Sequence, residues 1–449
     1  MKNHCVLVTD LQIRRYVLPS DFSKIPTLIL RALWLTRTLK KNQWLSEQEL
    51  RALQTKKLRA LLRHAYSRVP FYHQRFRSIG LYPDDIKGVE DLGRLPIITK
   101  DDVERAGTQI VADNIDLKKS FKTHTSGTMG HPLRVYYDPR YLDHITASSR
   151  RYRSVLGRKS WEKTAVVRFS DSDSKGEAGQ GIAKRTFHSF RRNYSRNYYI
   201  SYSANEIAKE LSDFQPDVLF GRPIYLRLLA EEFRRTGHKI SPRLVLSRGD
   251  VLDHSNRKFI ETTLGCDVYD SYGGNDAGPI AWECLEKDGY HMEADMTICE
   301  FLKGEENANP KEVSDIVVTN LNNYAMPLIR YRSGDKGSYR SGMCACGRTL
   351  PILESVEGRE KEFLAARNGE RLSPKTLQEI AYRNKSLPPM FQIFHERDHI
   401  SIHVYGEDVS DDSISDLKAK FSDVFGETDV VKHKENAKAN MRFFLNKAS

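Results

Sequence analysis

The chain has little of what marks a secreted or a membrane-spanning protein. Its 449 residues include six cysteines and no run of about 18 apolar residues, the length that a membrane span needs. Six thiols in so long a chain do not form a disulfide framework. The apolar stretch from Ile25 to Leu35 is interrupted by Pro26 and Arg31 and lacks the cleavage site of a secretory signal. We therefore expect no transmembrane segment and a reducing, cytoplasmic location.

Internal repeats and low-complexity segments are also missing. A hydrophobic content of 39% is typical of a globular protein, and the length allows two or three domains. The formal charge of +12 is spread along the chain and is densest from Lys184 to Tyr202, where arginines alternate with tyrosines. This patch suits a nucleic acid strand, a nucleotide-like cofactor tail, a phospho-sugar, an anionic membrane face or simply solvent. We expect no specific nucleic acid partner, and peripheral membrane contact stays open.

The apolar periodicity predicts an α/β protein. Ser46 and Glu49 form a capping-box pattern, which predicts the start of a helix over 46–77. Short strand-like runs follow, with helical patterns such as 225–236 between several of them. The runs cover Ala165–Phe169, Val218–Phe220, Leu244–Ser247, Asp267–Asp270 and Ile316–Thr319.

The character of the chain changes after residue 358. A helix start at Ser373–Pro374 and the alternating Ile400, Ile402 and Val404 predict a small α+β unit. We therefore predict a large domain over 1–358, in which residues 1–40 stay unassigned, and a small mobile domain over 359–449.

The segment from Thr123 to Gly130 concentrates four hydroxyls and two glycines in eight residues. Such a loop can bring backbone N–H groups and hydroxyl donors close to a phosphate chain, because glycine has no Cβ to obstruct the approach. It is not the GxxxxGK[ST] loop, since no lysine follows the second glycine. Taken alone, such a segment is more often an ordinary surface turn.

Further motifs give this loop a context. Downstream lie Ser271–Gly278 (SYGGNDAG), Tyr331–Asp335 (YRSGD) and Val356–Arg359 (VEGR). Together with the loop, and in this order, these motifs resemble the TSGTTG, YGxTE, YxTGD and GR elements of the adenylate-forming superfamily. The segments Leu61–Tyr72, Leu95–Lys100 and Cys344–Arg348 resemble more closely the phenylacetate–coenzyme A ligase family and the CapK-like capsular polysaccharide biosynthesis proteins. The resemblance extends from about residue 40 to the C-terminus and implies a large multi-layer α/β domain followed by a small lid domain.

The resemblance implies a set of nucleotide-binding residues. Tyr272 would stack on adenine, although a core tyrosine at a strand end fits the sequence as well. Asp335 would accept hydrogen bonds from both ribose hydroxyls, and Lys438 would reach the α-phosphate from the lid, although a solvated lysine fits there too. The remaining members of the set are Thr125, Ser126, Gly127, Thr128, Gly130, Gly273, Gly274, Asn275 and Arg359.

Three positions depart from the family pattern. Asp276 stands where a glutamate usually helps to hold Mg²⁺, and its side chain is one methylene shorter. Met129 replaces a threonine of the phosphate loop, and His131 stands where lysine or a small residue is common. We count Asp276 and His131 with Lys438 as the candidate catalytic residues.

Cysteine and histidine form a second candidate site. Cys284 and His291 follow the tyrosine–glycine element, and Cys344 and Cys346 precede the GR element. Three thiolates and one imidazole make a closed tetrahedral zinc set, which would be structural because no position is open. The alternative is three reduced cysteines and a surface histidine.

The expected function is that of an adenylate-forming ligase. With ATP and Mg²⁺ it would convert a small-molecule carboxylate into an acyl-adenylate and pass the acyl group to coenzyme A. By resemblance to CapK-like proteins, an amine or hydroxyl in envelope polysaccharide biosynthesis would be the acceptor instead. The departures at Asp276 and Met129 leave open a catalytically degenerate relative that binds nucleotides or polyanions. The acid used and the oligomeric state are not readable from motifs.

Overall fold

The computed structural model describes residues 25–118, 120–125, 133–159, 161–168, 194–199, 204–382, 390–396, 399–405, 409–433 and 444–446. The predicted phosphate-loop residues Ser126, Gly127, Thr128, Gly130 and His131, the predicted Lys438 and most of the Lys184–Tyr202 patch lie outside these residues.

Helices and strands alternate along the described chain, as the sequence predicts for an α/β protein. The helices are α1 Ile25–Asn42, α2 Glu47–Arg68, α3 Pro70–Ser78, α4 Lys100–Ala106, α5 Pro139–Val155, α6 Ala204–Phe214, α7 Pro223–Thr236, α8 His254–Leu264, α9 Pro374–Tyr382 and α10 Asp411–Phe425. Short 3₁₀ turns cover Pro83–Asp85, Val89–Arg94, Gly107–Ile110 and Glu360–Glu362. The strands are β1 Ile98–Thr99, β2 Phe121–His124, β3 Arg134–Tyr137, β4 Thr164–Arg168, β5 Ser195–Tyr199, β6 Val218–Gly221, β7 Leu244–Arg248, β8 Val268–Gly274, β9 Gly278–Glu283, β10 Tyr290–Met292, β11 Thr297–Lys303, β12 Glu306–Asn307, β13 Ser314–Asn320, β14 Tyr331–Arg340, β15 Ile352–Arg359, β16 Leu364–Ala365, β17 Arg371–Leu372, β18 Met390–Glu396, β19 His399–Tyr405, β20 Thr428–His433 and β21 Phe444–Asn446.

The helix predicted over 46–77 begins as expected but is two helices. The Ser46 hydroxyl accepts from the Glu49 backbone N–H, and the Glu49 carboxylate accepts from the Ser46 backbone N–H at 2.8 Å. This capping box satisfies two N–H groups that a helix start leaves without partners. The prediction of one continuous helix is wrong, because Pro70 cannot donate a backbone hydrogen bond. It stands at the first position of α3, where that loss costs nothing.

The described chain divides into two compact units. One contains residues 1–158 and 271–355, and the other contains 159–270 and 356–449. Strands β8 and β15 carry the chain from one unit to the other. The second unit therefore groups the predicted small domain with 159–270, and the predicted division at residue 358 stays a prediction.

The first unit is built on mostly antiparallel strands in the order β12-β11-β13-β14-β15-β10-β9-β8, with β1 parallel to β14. A separate hairpin pairs β2 with β3 in the register Phe121↔Tyr137 to His124↔Arg134. These short, antiparallel connections place the loop after β2, the β8–β9 turn and the start of β14 in one unit.

The first unit also encloses an ion cluster, which we call the Arg151 cluster: Arg151, Glu293 and Asp295. None of the three side chains is exposed to solvent. Arg151 donates to both carboxylates, with bonds of 2.9 Å to each Asp295 oxygen, and to the Leu39 carbonyl at 2.9 Å. Trp282 Nε1 donates to Glu293 at 2.8 Å. The cluster ties α1 and α5 to the chain between β10 and β11.

The second unit has a parallel core sheet in the order β7-β6-β4-β5. Its strands pack against α6, α7 and α8 through a buried set that includes Ala165, Leu219, Leu226 and Val245. Residues 364–425 form a separate core around β18, β19, α9 and α10, with Ile402, Leu417 and Phe421 fully buried. The strand-like alternation predicted at 400–404 is confirmed, because Ile400, Ile402 and Val404 all face this core.

Candidate nucleotide site and thiol–imidazole cluster

The predicted adenine-binding segment is the turn that connects β8 to β9. Gly278 has a φ of +83°, and a Cβ there would overlap the Tyr141 hydroxyl. Gly274 is needed for a different reason, since a Cβ at this position would overlap the Asp276 carboxylate. The Ala277 N–H then donates to Asp276 Oδ1 at 2.9 Å. Glycine thus lets the turn fold back on its own acidic side chain.

Tyr272 and Asp335 meet in this unit although 63 residues separate them. The Tyr272 hydroxyl donates to Asp335 Oδ2 at 2.8 Å. Burial and, after it, the charge of Asp335 raise the pKa of Tyr272 well above its usual value, so the phenol remains a neutral donor. The Asp335 backbone N–H donates to Ser333 Oγ at 3.2 Å, and Gly334 has a φ of +84°. The bond from Tyr272 takes one of the about four lone-pair positions of the carboxylate.

Asp276 is held from two sides. The hydroxyl of the buried Tyr331 donates to Asp276 Oδ2 at 3.0 Å, while Oδ1 accepts from Ala277. Each carboxylate oxygen has a second lone pair, so the side chain keeps the chemistry of a hard metal ligand. Tyr331 belongs to the YRSGD motif, and the structure therefore links that motif to both acidic residues of the predicted site.

Thr125 holds the base of the predicted phosphate loop. Its backbone N–H donates to the Leu133 carbonyl at 2.9 Å, and its hydroxyl accepts from the Leu133 N–H at 3.0 Å. These two bonds continue the β2–β3 hairpin and bring both ends of the loop together. Asn275 Nδ2 donates to the His124 carbonyl at 2.8 Å, and the Tyr137 hydroxyl donates to the Asn275 carbonyl. The base of the loop is therefore fixed to the β8–β9 turn.

Tyr137 is a residue of this arrangement that the sequence analysis missed. It lies on β3, is almost fully buried and stacks on Phe121 with 5.6 Å between the ring centroids. No motif marks it, because its partner Asn275 lies 138 residues away. A local signal for it is that Val135 and Tyr137, two residues apart, lie on the same face of β3 and are both buried.

Arg359 ends β15 and belongs to the second unit. The preceding Gly358 has a φ of +106°, and a Cβ there would lie 2.7 Å from Pro374 Cγ. The glycine of the predicted GR element is thus required by backbone conformation and by close packing against α9. The nucleotide contact assigned to Arg359 stays a prediction.

The four predicted zinc ligands come together in the first unit, and we call them the thiol–imidazole cluster: Cys284, His291, Cys344 and Cys346. One ligand atom from each residue lies within 4.8 Å of all the others. Cys284 Sγ and Cys344 Sγ are 3.6 Å apart, and Cys346 Sγ lies 3.3 Å from His291 Nε2. Sulfur atoms bound to one tetrahedral zinc lie about 3.8 Å apart, since each Zn–S bond is about 2.3 Å.

Local turns explain the convergence. Cys284 directly follows β9, and His291 lies on β10, which pairs antiparallel with β9. The Gly347 N–H donates to the Cys344 carbonyl at 2.9 Å, and Gly347 has a φ of +79°. This tight turn directs both thiols of the C-x-C pair to one side. At 3.6 Å the sulfurs of Cys284 and Cys344 are too far apart for a disulfide, whose S–S bond is about 2.05 Å.

The protein surroundings prepare two of the four side chains for metal binding and oppose ionisation of the other two, because burial raises the pKa of Cys284 to about 12 and also raises the pKa of Cys344. Burial, followed by the charges of Arg348 and Arg340, lowers the pKa of His291 to about 4, so the imidazole is neutral at pH 7. Burial opposes ionisation of Cys346, but hydrogen bonds from the Arg348 backbone and side chain outweigh it and lower the pKa of this thiol. A neutral imidazole and an accessible thiolate are the protonation states that a metal ligand needs.

The comparisons with known proteins agree with this geometry. The chain is 29% identical over 376 residues to the phenylacetate–coenzyme A ligase of Pseudomonas putida, and the aligned region covers 80% of this chain and 82% of that protein. It is 28% identical over 375 residues to the enzyme of the same name from Aromatoleum evansii, covering 79% and 80%. No protein-family model matches the chain.

A solved structure of 2-hydroxyisobutyryl-CoA ligase in the postadenylation state superposes with a TM-score of 0.74 at 18% identity, covering 91% of this chain and 92% of that chain. The fold is therefore that of an adenylate-forming ligase. The chain is similar to the phenylacetate–coenzyme A ligases over about four fifths of its length, and the predicted class of acyl-adenylate-forming enzyme is confirmed. The likeness to CapK-like proteins stays a prediction.

Proposed function

We propose that the protein activates a small-molecule carboxylic acid with ATP and transfers the acyl group to coenzyme A. The observation that carries the proposal is the pairing of Tyr272 with Asp335 and of Tyr331 with Asp276 in one unit. This pairing joins two separate motifs of a chain whose relatives are phenylacetate–coenzyme A ligases.

The proposed reaction has two halves. A substrate carboxylate oxygen attacks the α-phosphorus of ATP, the bond to the β-phosphate oxygen breaks, and pyrophosphate leaves. The sulfur of coenzyme A, after loss of its proton, then attacks the acyl carbon, and AMP leaves with the electrons of the acyl–oxygen bond. Positioning and charge neutralisation supply the rate, because no side chain forms a covalent bond to substrate.

The proposed roles of the residues follow from their chemistry. Asp335 would accept from the ribose hydroxyls while Tyr272 restrains one of its oxygens, and Tyr272 would present its ring to adenine. Asp276 would offer carboxylate oxygens to Mg²⁺, which when bound neutralises phosphate charge. By resemblance alone, Arg359 is assigned to the ribose or a phosphate, Lys438 to the α-phosphate and His131 to the phosphate loop. Thr125 has a supporting role, since its hydroxyl and N–H hold the base of the loop.

We also propose that the thiol–imidazole cluster holds a structural zinc ion. Four donors converge at zinc-like separations, three of them belong to buried residues, and His291 is neutral at pH 7. All four positions are filled by protein atoms, so such an ion would join the loops around β9, β10 and β15 and take no part in the reaction.

The decisive experiment is carboxylate-dependent exchange of labelled pyrophosphate into ATP, over a panel of aromatic, aliphatic and hydroxy acids. The reaction is then completed with coenzyme A or, separately, with an amino sugar. Thioester formation supports the proposal, whereas amide or ester formation supports an acceptor in envelope polysaccharide biosynthesis. ATP binding without exchange for any acid would favour a catalytically degenerate nucleotide-binding relative.

Variants of Lys438 and of the nearby Lys434 test the role proposed for the lid lysine. We expect Lys438→Ala to lower exchange on the order of a hundredfold, the loss that follows removal of one charge-stabilising donor, and to leave ATP binding unchanged. Lys434→Ala changes the same charge four residues away and should exchange at the wild-type rate. Equal behaviour of the two variants would remove Lys438 from the mechanism.

A further inference from the structure

Helix α1 presents two different faces. Leu35 and Leu39 are buried against Ala147 of α5 and Met296. Leu30, Leu33 and Trp34 point away from this core and are 67%, 42% and 63% exposed. Large apolar side chains therefore occupy the outer face of a helix whose inner face already packs against α5 and Met296.

The outer face continues as a stripe at helical spacing. Positions 30, 33, 34, 37 and 41 fall on one side of the helix, and Trp44, 51% exposed with Arg348 over one face of its ring, lies two residues after the helix ends. The exposed charges next to the apolar residues are Arg37, Lys40 and Lys41. Helix α1 contains no acidic residue. We call Leu30, Leu33, Trp34, Arg37, Lys41 and Trp44 the outer stripe.

Exposed tryptophan in this number is unusual. The chain has four tryptophans, and Trp34, Trp44 and Trp161 are all at least half exposed. Tryptophan is ordinarily well buried, since each ring brings a large apolar area out of water. A stripe of leucine and tryptophan flanked by lysine and arginine is the composition of a helix that lies in the interface of a bilayer.

Two other occupants of the outer stripe are disfavoured by charge. Residues 1–24 carry four basic side chains and two acidic ones, so they do not complement Arg37 and Lys41. A second copy docked through the same stripe presents only the same basic residues, so it offers no acidic partner to Arg37 and Lys41. An anionic lipid surface complements both properties of the stripe, because its phosphates pair with the cations and its acyl boundary accepts the rings.

We propose that the outer stripe binds the surface of a bilayer that contains anionic lipids. Leu30, Leu33 and Trp34 lie at the boundary between headgroups and acyl chains, and Arg37 and Lys41 contact lipid phosphates. The attachment is peripheral: within the described residues no helix is long and apolar enough to cross a membrane. This binding is independent of the proposed ligase reaction.

Sedimentation of the full-length protein with vesicles tests the proposal. One set of vesicles contains phosphatidylcholine only, and the other contains about one third phosphatidylglycerol, enough to give a negative surface potential. We expect binding to the second set alone and weaker binding at higher salt. Leu33→Ser/Trp34→Ser should lower the partition coefficient about tenfold or more. Trp161→Ser, at a residue 66% exposed beside Lys159, should bind as the wild type does.

A second double variant keeps the proposal testable if the first one does not fold. Arg37→Gln/Lys41→Gln leaves the apolar residues in place and should weaken binding to anionic vesicles by about fivefold for each charge removed. Bromine-labelled lipids should quench the fluorescence of Trp34 in the wild type. The proposal would be overturned if the wild-type protein bound neither set of vesicles. It would also be overturned if both double variants bound anionic vesicles as the wild type does. A dimer in solution that Leu33→Ser/Trp34→Ser dissociates would overturn it as well, since a second copy would then cover the stripe.

Discussion

The Arg151 cluster and the thiol–imidazole cluster are two buried polar centres of the same unit, and they satisfy their polar atoms in different ways. Arg151 donates to both Glu293 and Asp295, although its Nε atom is buried with no hydrogen-bond partner among the described residues. In the thiol–imidazole cluster, three thiols and one neutral imidazole converge, and His291 Nδ1 is likewise buried with no partner in the part of the chain that the structure describes. One centre therefore pairs protein charges of opposite sign, and the other brings together four side chains that suit a cation.

The pKa shifts express the same difference. Burial alone would lower the pKa of Arg151, but Glu293 and Asp295 raise it, so the guanidinium stays charged. Burial raises the pKa of Cys284 to about 12, and the neighbouring thiols of Cys344 and Cys346 act in the same direction. We therefore expect the Arg151 cluster to be insensitive to metal removal, whereas the proposed zinc ion would make the stability of the unit depend on metal supply.

The largest expected effect comes from breaking the Arg151 cluster. Arg151→Met leaves two carboxylates buried without their cation, which typically costs about 3–5 kcal/mol of unfolding free energy. Urea unfolding followed by circular dichroism measures the loss, and a chelator should not change it. Arg63→Met removes an arginine from the exposed pair with Asp84 and should leave the urea midpoint nearly unchanged. Equal losses in the two variants would show that the cluster is not the stabilising centre that its burial indicates.

Removal of the metal from the thiol–imidazole cluster should have the next largest effect. We expect one zinc ion per chain by elemental analysis, and Cys346→Ser should release it because a hydroxyl does not ionise at pH 7. At free zinc two to three orders of magnitude above the dissociation constant, the loss of binding lowers stability by about 3–4 kcal/mol. A chelator should lower the melting temperature of the wild type to that of the variant.

Cys299→Ser is the matched control, because this thiol lies outside the cluster and should keep the full zinc content. A wild-type protein that is metal-free and insensitive to chelator would show that the four side chains are reduced thiols and a neutral histidine only. The contrast with the Arg151 cluster would then disappear.

Asp335 is a third polar centre of this unit, a carboxylate that accepts from the neutral hydroxyl of Tyr272. We expect Asp335→Ala to weaken ATP binding by at least about tenfold, because it loses the two proposed charge-assisted hydrogen bonds from the ribose hydroxyls, worth about 1.5–3 kcal/mol each. Calorimetric titration of ATP measures the change. Asp288→Ala removes an exposed carboxylate of the same unit and should bind ATP as the wild type does. If both variants bind equally well, the ribose is held elsewhere.

The sequence predicted local features of the fold well and long-range pairings poorly. The Ser46 cap and the ends of α7 and β7 agree with expectation to within two residues, because they depend on neighbours a few positions away. Motif order grouped Tyr272, Asp276 and Asp335; the structure places all three in the first unit, and their roles stay predictions. The bonds from Tyr137 to the Asn275 carbonyl and from Tyr331 to Asp276 depend on strand register, which no single-sequence pattern specifies.

The smallest expected effect concerns a histidine pair in which neither partner supplies a compensating charge. His403 Nδ1 and His433 Nε2 are 2.8 Å apart on the adjacent strands β19 and β20. Burial and then the charge of His433 lower the pKa of His403, so the folded state favours the neutral imidazole. A histidine whose folded pKa is depressed contributes its stability above the unfolded pKa of about 6.5, and this contribution falls as the pH drops below that value. Between pH 7.5 and pH 5.5, the melting temperature of the wild type should therefore fall further than that of His403→Gln. The corresponding difference in unfolding free energy should be less than about 1 kcal/mol, because both rings are partly exposed. His254→Gln, at the exposed start of α8, is the control and should follow the wild type. An identical pH response in all three proteins would show that the two rings share one proton without strain.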